Sequence, residues 1–296
     1  MTRLHKFMRA IGFSEKLNRY QVRELLDKSV AEADHISMTE EDGYVFGQIL
    51  KEVSPNLGIS ICGEFNERDE LEIDYYFPYF RGTGVTSYSE VSIGRHAAHE
   101  SYGGICDDIR VGIAAVFYLQ NITDYKNGLR LCKYTSALDT SVTLSGLSVS
   151  GTILFPVSKS QRQVLATKKA DQTRNGLIAK AREGDEEAIE SLTMEDMDTY
   201  SMISRRIQHE DVLTIVDSYF IPNGIECDMY SVMGTILEVD TQENCFTHDK
   251  VFLLRVECKE IIMDICINEK DLLGEPQEGR RFKGIIWLQG RLNYPI

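Results

Sequence analysis

A chain of 296 residues, 43% apolar and 26% charged, can bury a sizeable core without staples and has room for about two domains. Its formal net charge of −14 favours solubility and weighs against nucleic-acid and anionic membrane surfaces as partners. Only six prolines and no low-complexity tract argue against long disordered linkers.

The predicted elements begin with helices. Leu4, Phe7, Met8 and Ile11 recur at helical spacing up to Gly12. Ser14 is placed to cap a second helix, in which Leu17, Tyr20, Leu25, Leu26, Val30 and Ala33 form one stripe. From about Tyr44 the period changes to two. "GISICGEF" and "LEIDYYFPYF", joined by the polar turn "NERDE", predict a β-hairpin, with Pro78 marking a sheet edge or a strand end. "YSEVSI", "IRVGIAAVFYLQN" and "DTSVTLSGLSVSGTILFPV" predict further strands, the middle one apolar on both faces and therefore central.

From about Ser160 to Ile207 the chain turns helical and charged. Gly184 can end one helix, Asp185 begin the next, and Thr193 cap a third. Strands then return in "VLTIVDSYF", "YSVMGTILEVD", "VFLLRVEC", "EIIMDICI" and "FKGIIWLQGRL", with Gly234 and Gly284 suited to barrel corners. The expected fold is α+β: N-terminal helices on a mostly antiparallel sheet (1–160), a helical connector (161–207), and a small β-barrel or curled sheet, OB-like (208–296).

The seven cysteines are scattered, odd in number and without C-x-x-C, so they read as reduced thiols. Charges at Arg3, Lys6 and Arg9 interrupt the N-terminal apolar stretch, which is no signal peptide. The longest apolar run, around "VGIAAVFYL", is far short of the ~18 residues of a membrane span. The expected location is cytoplasmic, with no membrane partner.

One segment concentrates chemistry. "RHAAHESYGGICDD" holds Arg95, His96, His99, Glu100, Cys106, Asp107 and Asp108. Metal centres need such ligands to converge, and H-x-x-H-E matches neither helical metalloprotease pattern. If the strand through Val91 and Ile93 continues, His96 and His99 point to opposite faces. Gly103 and Gly104 then favour a bend, and Asp107 and Asp108 stand where the Ile109 strand begins. The segment reads as a polar strand-to-strand connection that could bind a ligand; no catalytic residue, metal or cofactor is assigned.

Three other features bear on function. Arg81, Gly82 and Gly84 lack the phosphate-loop spacings and read as a flexible connection. Tyr75, Tyr76, Phe77, Tyr79 and Phe80 would form a ligand or partner surface if exposed. Arg280, Arg281, Lys283 and Arg291 interleave with Phe282 and Trp287, a pattern that could hold single-stranded nucleic acid, although acidic surroundings make it a poor partner and Trp287 reads as core.

Taken together, "HKFMRAIGF", "YYFPYFRGTGVTSY", "GICDDIRVGIAAVFYLQN", "DTYSMISRRI" and "GRRFKGIIWLQG" resemble a family of clostridial (Firmicutes) proteins classed as a domain of unknown function. The resemblance runs in order along nearly the whole chain. It implies a bacterial cytoplasmic protein and carries over no site residue. The leading functional expectation is a non-enzymatic binding or regulatory protein with a protein or small-molecule partner. The alternatives are a metal-dependent hydrolase using the 95–108 cluster and a single-strand binder using the C-terminal barrel.

Overall fold

The computed structural model describes residues 4–41, 43–96, 101–110, 113–131, 140–157, 161–225 and 227–294. After a 3-10 turn at Lys6–Arg9 come α1 (Arg19–Ala31), β1 (His35–Glu41), β2 (Tyr44–Ser54), β3 (Leu57–Phe65), β4 (Leu71–Phe80), β5 (Val91–Arg95), β6 (Tyr102–Cys106), β7 (Ala115–Leu119), α2 (Ile122–Leu131) and β8 (Ser141–Leu154). The helical segment contains α3 (Gln161–Arg182), α4 (Glu186–Arg206) and the one-turn α5 (Val212–Ile215). Then follow β9 (Tyr219–Pro222), β10 (Met229–Glu243), β11 (Lys250–Cys258), β12 (Ile261–Asn268), a 3-10 turn, β13 (Leu272–Leu273) and β14 (Arg281–Asn293).

Strands β1–β4 form an antiparallel sheet in chain order. The predicted hairpin is β3–β4, and Pro78 lies on the edge strand β4, where its missing N–H costs no ladder bond. The second sheet runs β13-β8-β12-β11-β10-β14-β7-β6-β5, and β14 also pairs with β8 from Arg281 to Asn293. Strands β8, β12, β11, β10 and β14 thereby close into a five-stranded barrel. The fold is mixed α/β, mostly strand. The helical segment leaves the barrel after β8 and returns at β9–β10, so strands on its two sides share one sheet. Among the described residues no helix is long and apolar enough to cross a membrane.

Several local expectations change. Phe7, Met8 and Ile11 are buried, but by a 3-10 turn packed against β4 and β8 and tied to β12, where Cys266 Sγ donates to Ala10 O (3.3 Å) and Asn268 to Arg9 O (3.3 Å). The next helix starts at Asn18, not Ser14: Asn18 and Gln21 make a reciprocal capping box, while Ser14 Oγ donates to Asp249. Tyr20 faces solvent, and Val22, Leu26 and Ser29 form the buried face. Gly184, in the left-handed region, and Asp185 separate α3 from α4 as expected. Thr193 caps nothing: its hydroxyl bonds back to Ile189 O inside a continuous α4. "VLTIVDSYF" begins as α5, capped by Asp211, before the short β9.

"IRVGIAAVFYLQN" supplies only the five-residue β7, and Ile122–Leu131 is a helix. The expected bend at Gly103–Gly104 is instead the strand β6. A Cβ on Gly103 would stand 2.8 Å from His96 Nε2, one on Gly104 2.1 Å from the Phe117 ring, and one on Gly290, on β14, 2.3 Å from the same ring. The ring therefore occupies space that only glycine on each neighbouring strand leaves open. Gly234 likewise permits close approach to Glu257 O (2.4 Å from a Cβ), and the ladder slips beside Gly284.

Between the four-stranded sheet and the barrel lies a buried polar layer. Gln48 Nε2 donates to Ser60 Oγ (2.9 Å) and Gln120 O (2.6 Å); Gln120 Nε2 reaches Phe80 O (2.7 Å) and Gln289 Oε1 (2.9 Å). Gln289 Nε2 donates to Pro78 O (2.8 Å). These amides satisfy backbone groups of β4 and the turn after β7, which would otherwise be buried unpaired.

Candidate functional site

The Arg95–Asp108 segment is the β5–β6 hairpin, with Arg95 opposite Tyr102 and Val91 opposite Cys106. Its tip, including His99 and Glu100, lies outside the described residues. His96 closes the described part: its N–H donates to Ser101 O (2.8 Å), its Nδ1 lies 3.2 Å from Ser101 Oγ, and its ring sits 5.9 Å from that of Tyr118. Ser101 also hydrogen-bonds Tyr118, whose hydroxyl burial pushes well above the usual tyrosine range.

The other end of the hairpin is about 15 Å away along the strand. There Cys106 is buried, its thiol pushed up by desolvation. Asp108 is buried too. It accepts from Arg110 Nε (2.9 Å) and Nη2 (2.5 Å), Ser87 Oγ (2.5 Å) and Arg110 N (3.0 Å). Asp107 points the other way, to a bidentate pair with Arg182 of α3 (2.9 Å to each oxygen). The two aspartates do not begin the expected Ile109 strand; they form the turn after β6. One braces the β4–β5 loop through Ser87 and Arg110, the other anchors the helical hairpin. Among the described residues no three His, Cys, Asp or Glu side chains stand together as a metal site.

The aromatic sequence of β4 does not make an open face. Tyr76, Phe77, Tyr79 and Phe80 are buried and Tyr75 half-buried. Phe77 meets Tyr118 edge-on (4.8 Å), Tyr118 meets Trp287 (5.0 Å), and Trp287 meets Phe7 and His5 (5.3 and 5.0 Å). Trp287 is core, with its indole N–H donating to Asp228 (2.7 Å). Phe282 is fully buried, and buried Arg281 donates to Phe155 O and Val216 O (3.0 Å each). The basic–aromatic pattern of β14 therefore offers neither of these rings for base stacking.

The open geometry lies elsewhere. A groove of about 410 Å³ runs over β10 and β11, walled by the loop after β4. Arg81, Thr83, Asp240, Gln242, Arg255 and Asp264 line it. Arg255 and Asp264 are cross-strand neighbours on the barrel's outer face. Asp264 accepts from Thr83 N (2.6 Å) and Oγ1 (2.7 Å), which fixes the loop to the barrel. The two arginines are held loosely: Arg255 by Thr83 Oγ1 (3.3 Å) and Glu238 (3.8 Å), Arg81 by Glu52 (3.5 Å) and the Tyr79 ring. Gln242 Oε1 is buried with no hydrogen-bond partner among the described residues. The volume suits a small molecule. The arginines can hold an oxyanion, while Gln242 and the carboxylates can accept from hydroxyl or amine groups.

Sequence reasoning passed over Arg255, Asp264 and Gln242. The available signal was a charge set inside each of two apolar strands, Arg255 in "VFLLRVEC" and Asp264 in "IIMDICI", at positions that face outward once the barrel closes.

A family model described as "Domain of unknown function, E. rectale Gene description (DUF3881)" matches residues 8–290. No curated protein and no solved structure matches the chain.

Proposed function

The chain belongs to this family of unknown function, DUF3881, and we propose from the geometry of its groove that the protein acts by binding a small polar ligand. The ligand carries an oxyanion, carboxylate or phosphate, at Arg81 and Arg255, and hydroxyl or amine donors towards Gln242 and Asp240. The observation that carries this is the pair of loosely held guanidiniums sharing one groove with an unpartnered, buried Gln242 Oε1. Groups left so under-satisfied gain most from a ligand that completes them.

The barrel's pairing supports an OB-like reading. Starting from β10, three strands pair in chain order, the third runs parallel to β8, and β14 closes the ring between β8 and β10. This is the OB circuit with its last strand supplied from before the helical segment. OB barrels bind ligands on the outer face of the second and third strands, the counterparts of β11 and β12. Burial of Cys62, Cys106, Cys258 and Cys266 inside strands, as small hydrophobes, supports a reducing, cytoplasmic location.

A second reading gives a ligand role to the β5–β6 hairpin through Arg95 and His96, with His99 and Glu100 following in sequence. The hydrogen-bonded run His96–Ser101–Tyr118 favours it. Cys106, Asp107 and Asp108 then hold the hairpin rather than touch the ligand.

A thermal-shift panel of small carboxylates, phosphates and neutral polyols on the full chain separates the two. The groove reading predicts that an anionic compound stabilises the wild type and loses its effect in Arg81→Ala and Arg255→Ala, with His96→Ala unaffected. No shift from any anion, or equal shifts in the arginine variants, would reject it.

A further inference from the structure

α4 carries an unusual load of exposed apolar side chains. Ile189, Met194, Met197, Tyr200 and Met202, with Ile207 just beyond its end, are 47–75% exposed. Its inner side is already used: Ala188 is buried, and Arg174 of α3 pairs with Asp196 (2.7 Å) and Glu195 (3.5 Å). Isolated surface apolar residues need no explanation, but a row of them along one helix marks a contact surface.

The row has an internal symmetry. Ile189, Met197, Tyr200 and Ile207 are separated by eight, three and seven residues. At 3.6 residues per turn these four fall within one sector of the helix, and the spacing reads almost the same in both directions. Charge follows the same plan. The first turns of α4 are acidic (Glu186, Glu187, Glu190), and the last turn is basic (Arg205, Arg206). Arg206 is engaged with Glu210 on its own chain (2.6 Å).

We propose that a second copy of the chain covers this face. An antiparallel, two-fold pairing of α4 with its copy sets Ile189 against Ile207, Met197 against Tyr200, and each acidic first turn against a basic last turn. Such a contact is isologous, so the same patch serves both subunits. Two α3–α4 hairpins joined in this way make a four-helix bundle. The contact lies on the helical segment and does not depend on a ligand in the groove.

Sedimentation velocity of the full chain over a concentration series tests this. The wild type should sediment as a dimer. Met197→Glu and Tyr200→Glu, at exposed positions that leave the fold intact by circular dichroism, should each raise the dimer Kd by about 100-fold or more. Glu190→Lys and Arg205→Glu should each weaken the dimer, and the double reversal should recover it. A wild type that stays monomeric throughout overturns the proposal. So does a dimer that neither Met197→Glu nor Tyr200→Glu weakens.

Discussion

Asp108→Ala removes the acceptor of four hydrogen bonds in a buried turn. Arg110 keeps its bonds to Thr86 O (2.8 Å) and Glu260 O (3.3 Å) but loses its counter-charge. Breaking a buried ion pair from one side costs about 3–5 kcal/mol. The Arg110 side chain is 36% exposed, so water recovers part of that, and the expected loss is about 2–3 kcal/mol. In urea this lowers the unfolding midpoint by about 1 M with little change in slope. The single tryptophan, Trp287, buried between the barrel, Tyr118 and the N-terminal turn, reports the transition by fluorescence. Asp107→Ala, which breaks an exposed pair with Arg182, should cost under about 1 kcal/mol. Burial pushes the Asp108 carboxyl up, but the Arg110 and Ser87 hydrogen bonds outweigh it, and the net displacement is downward. Its contribution is therefore complete above the usual carboxylate range and is lost as pH falls through the lowered folded value. Asp108→Asn should flatten that acid limb. Equal costs for Asp107→Ala and Asp108→Ala, or an unchanged acid limb in Asp108→Asn, would refute the assignment of Asp108 as a structural clamp.

Three further outcomes follow from the packing. Phe117→Ala should cost about 3–5 kcal/mol by emptying the space between Gly104 and Gly290, and Gly104→Val should destabilise comparably by steric conflict; both are read by urea unfolding. Gln289→Leu leaves Pro78 O and Phe80 N short of their partner and should cost about 2–3 kcal/mol, with faster amide exchange along β4. His5 is half-buried against Trp287, and desolvation lowers its pKa to about 4. The native state thus resists protonation that the unfolded chain accepts near 6.5, so stability declines as pH falls from 6.5 towards 4. His5→Phe should remove that part of the pH dependence.

Local pattern carried much of the fold into view. The β3–β4 hairpin was legible because alternation and a polar turn coincide, and the α3–α4 boundary because Gly184 and Asp185 are chemically suited to end and start helices. The α1 cap was legible in principle, since Asn18-x-x-Gln21 is a capping box, but Ser14 is an equally good cap in isolation; its engagement with Asp249 appears only in three dimensions. The glycines of β6 suggested a bend because their reasons for being small lie on the neighbouring strands, His96 beside Gly103 and Phe117 beside Gly104. The barrel's closure joins Ser141 to Asn293, a pairing that no local period encodes. The same non-locality separated the true neighbours in "RHAAHESYGGICDD". Asp107 and Asp108 are adjacent in sequence but answer to Arg182 and Arg110 on opposite sides. Conversely Arg81, Arg255 and Gln242 are distant in sequence and share one groove.

The most direct measurement is a backbone amide NMR titration of the full chain with inorganic phosphate and with a small dicarboxylate. Binding in the groove predicts saturable shifts at Arg81–Thr83, Glu238–Gln242 and Leu253–Arg255, abolished by Arg255→Ala, with Arg95–Asp108 unmoved. Shifts centred on Arg95 and His96 instead, or none with either anion, would contradict it.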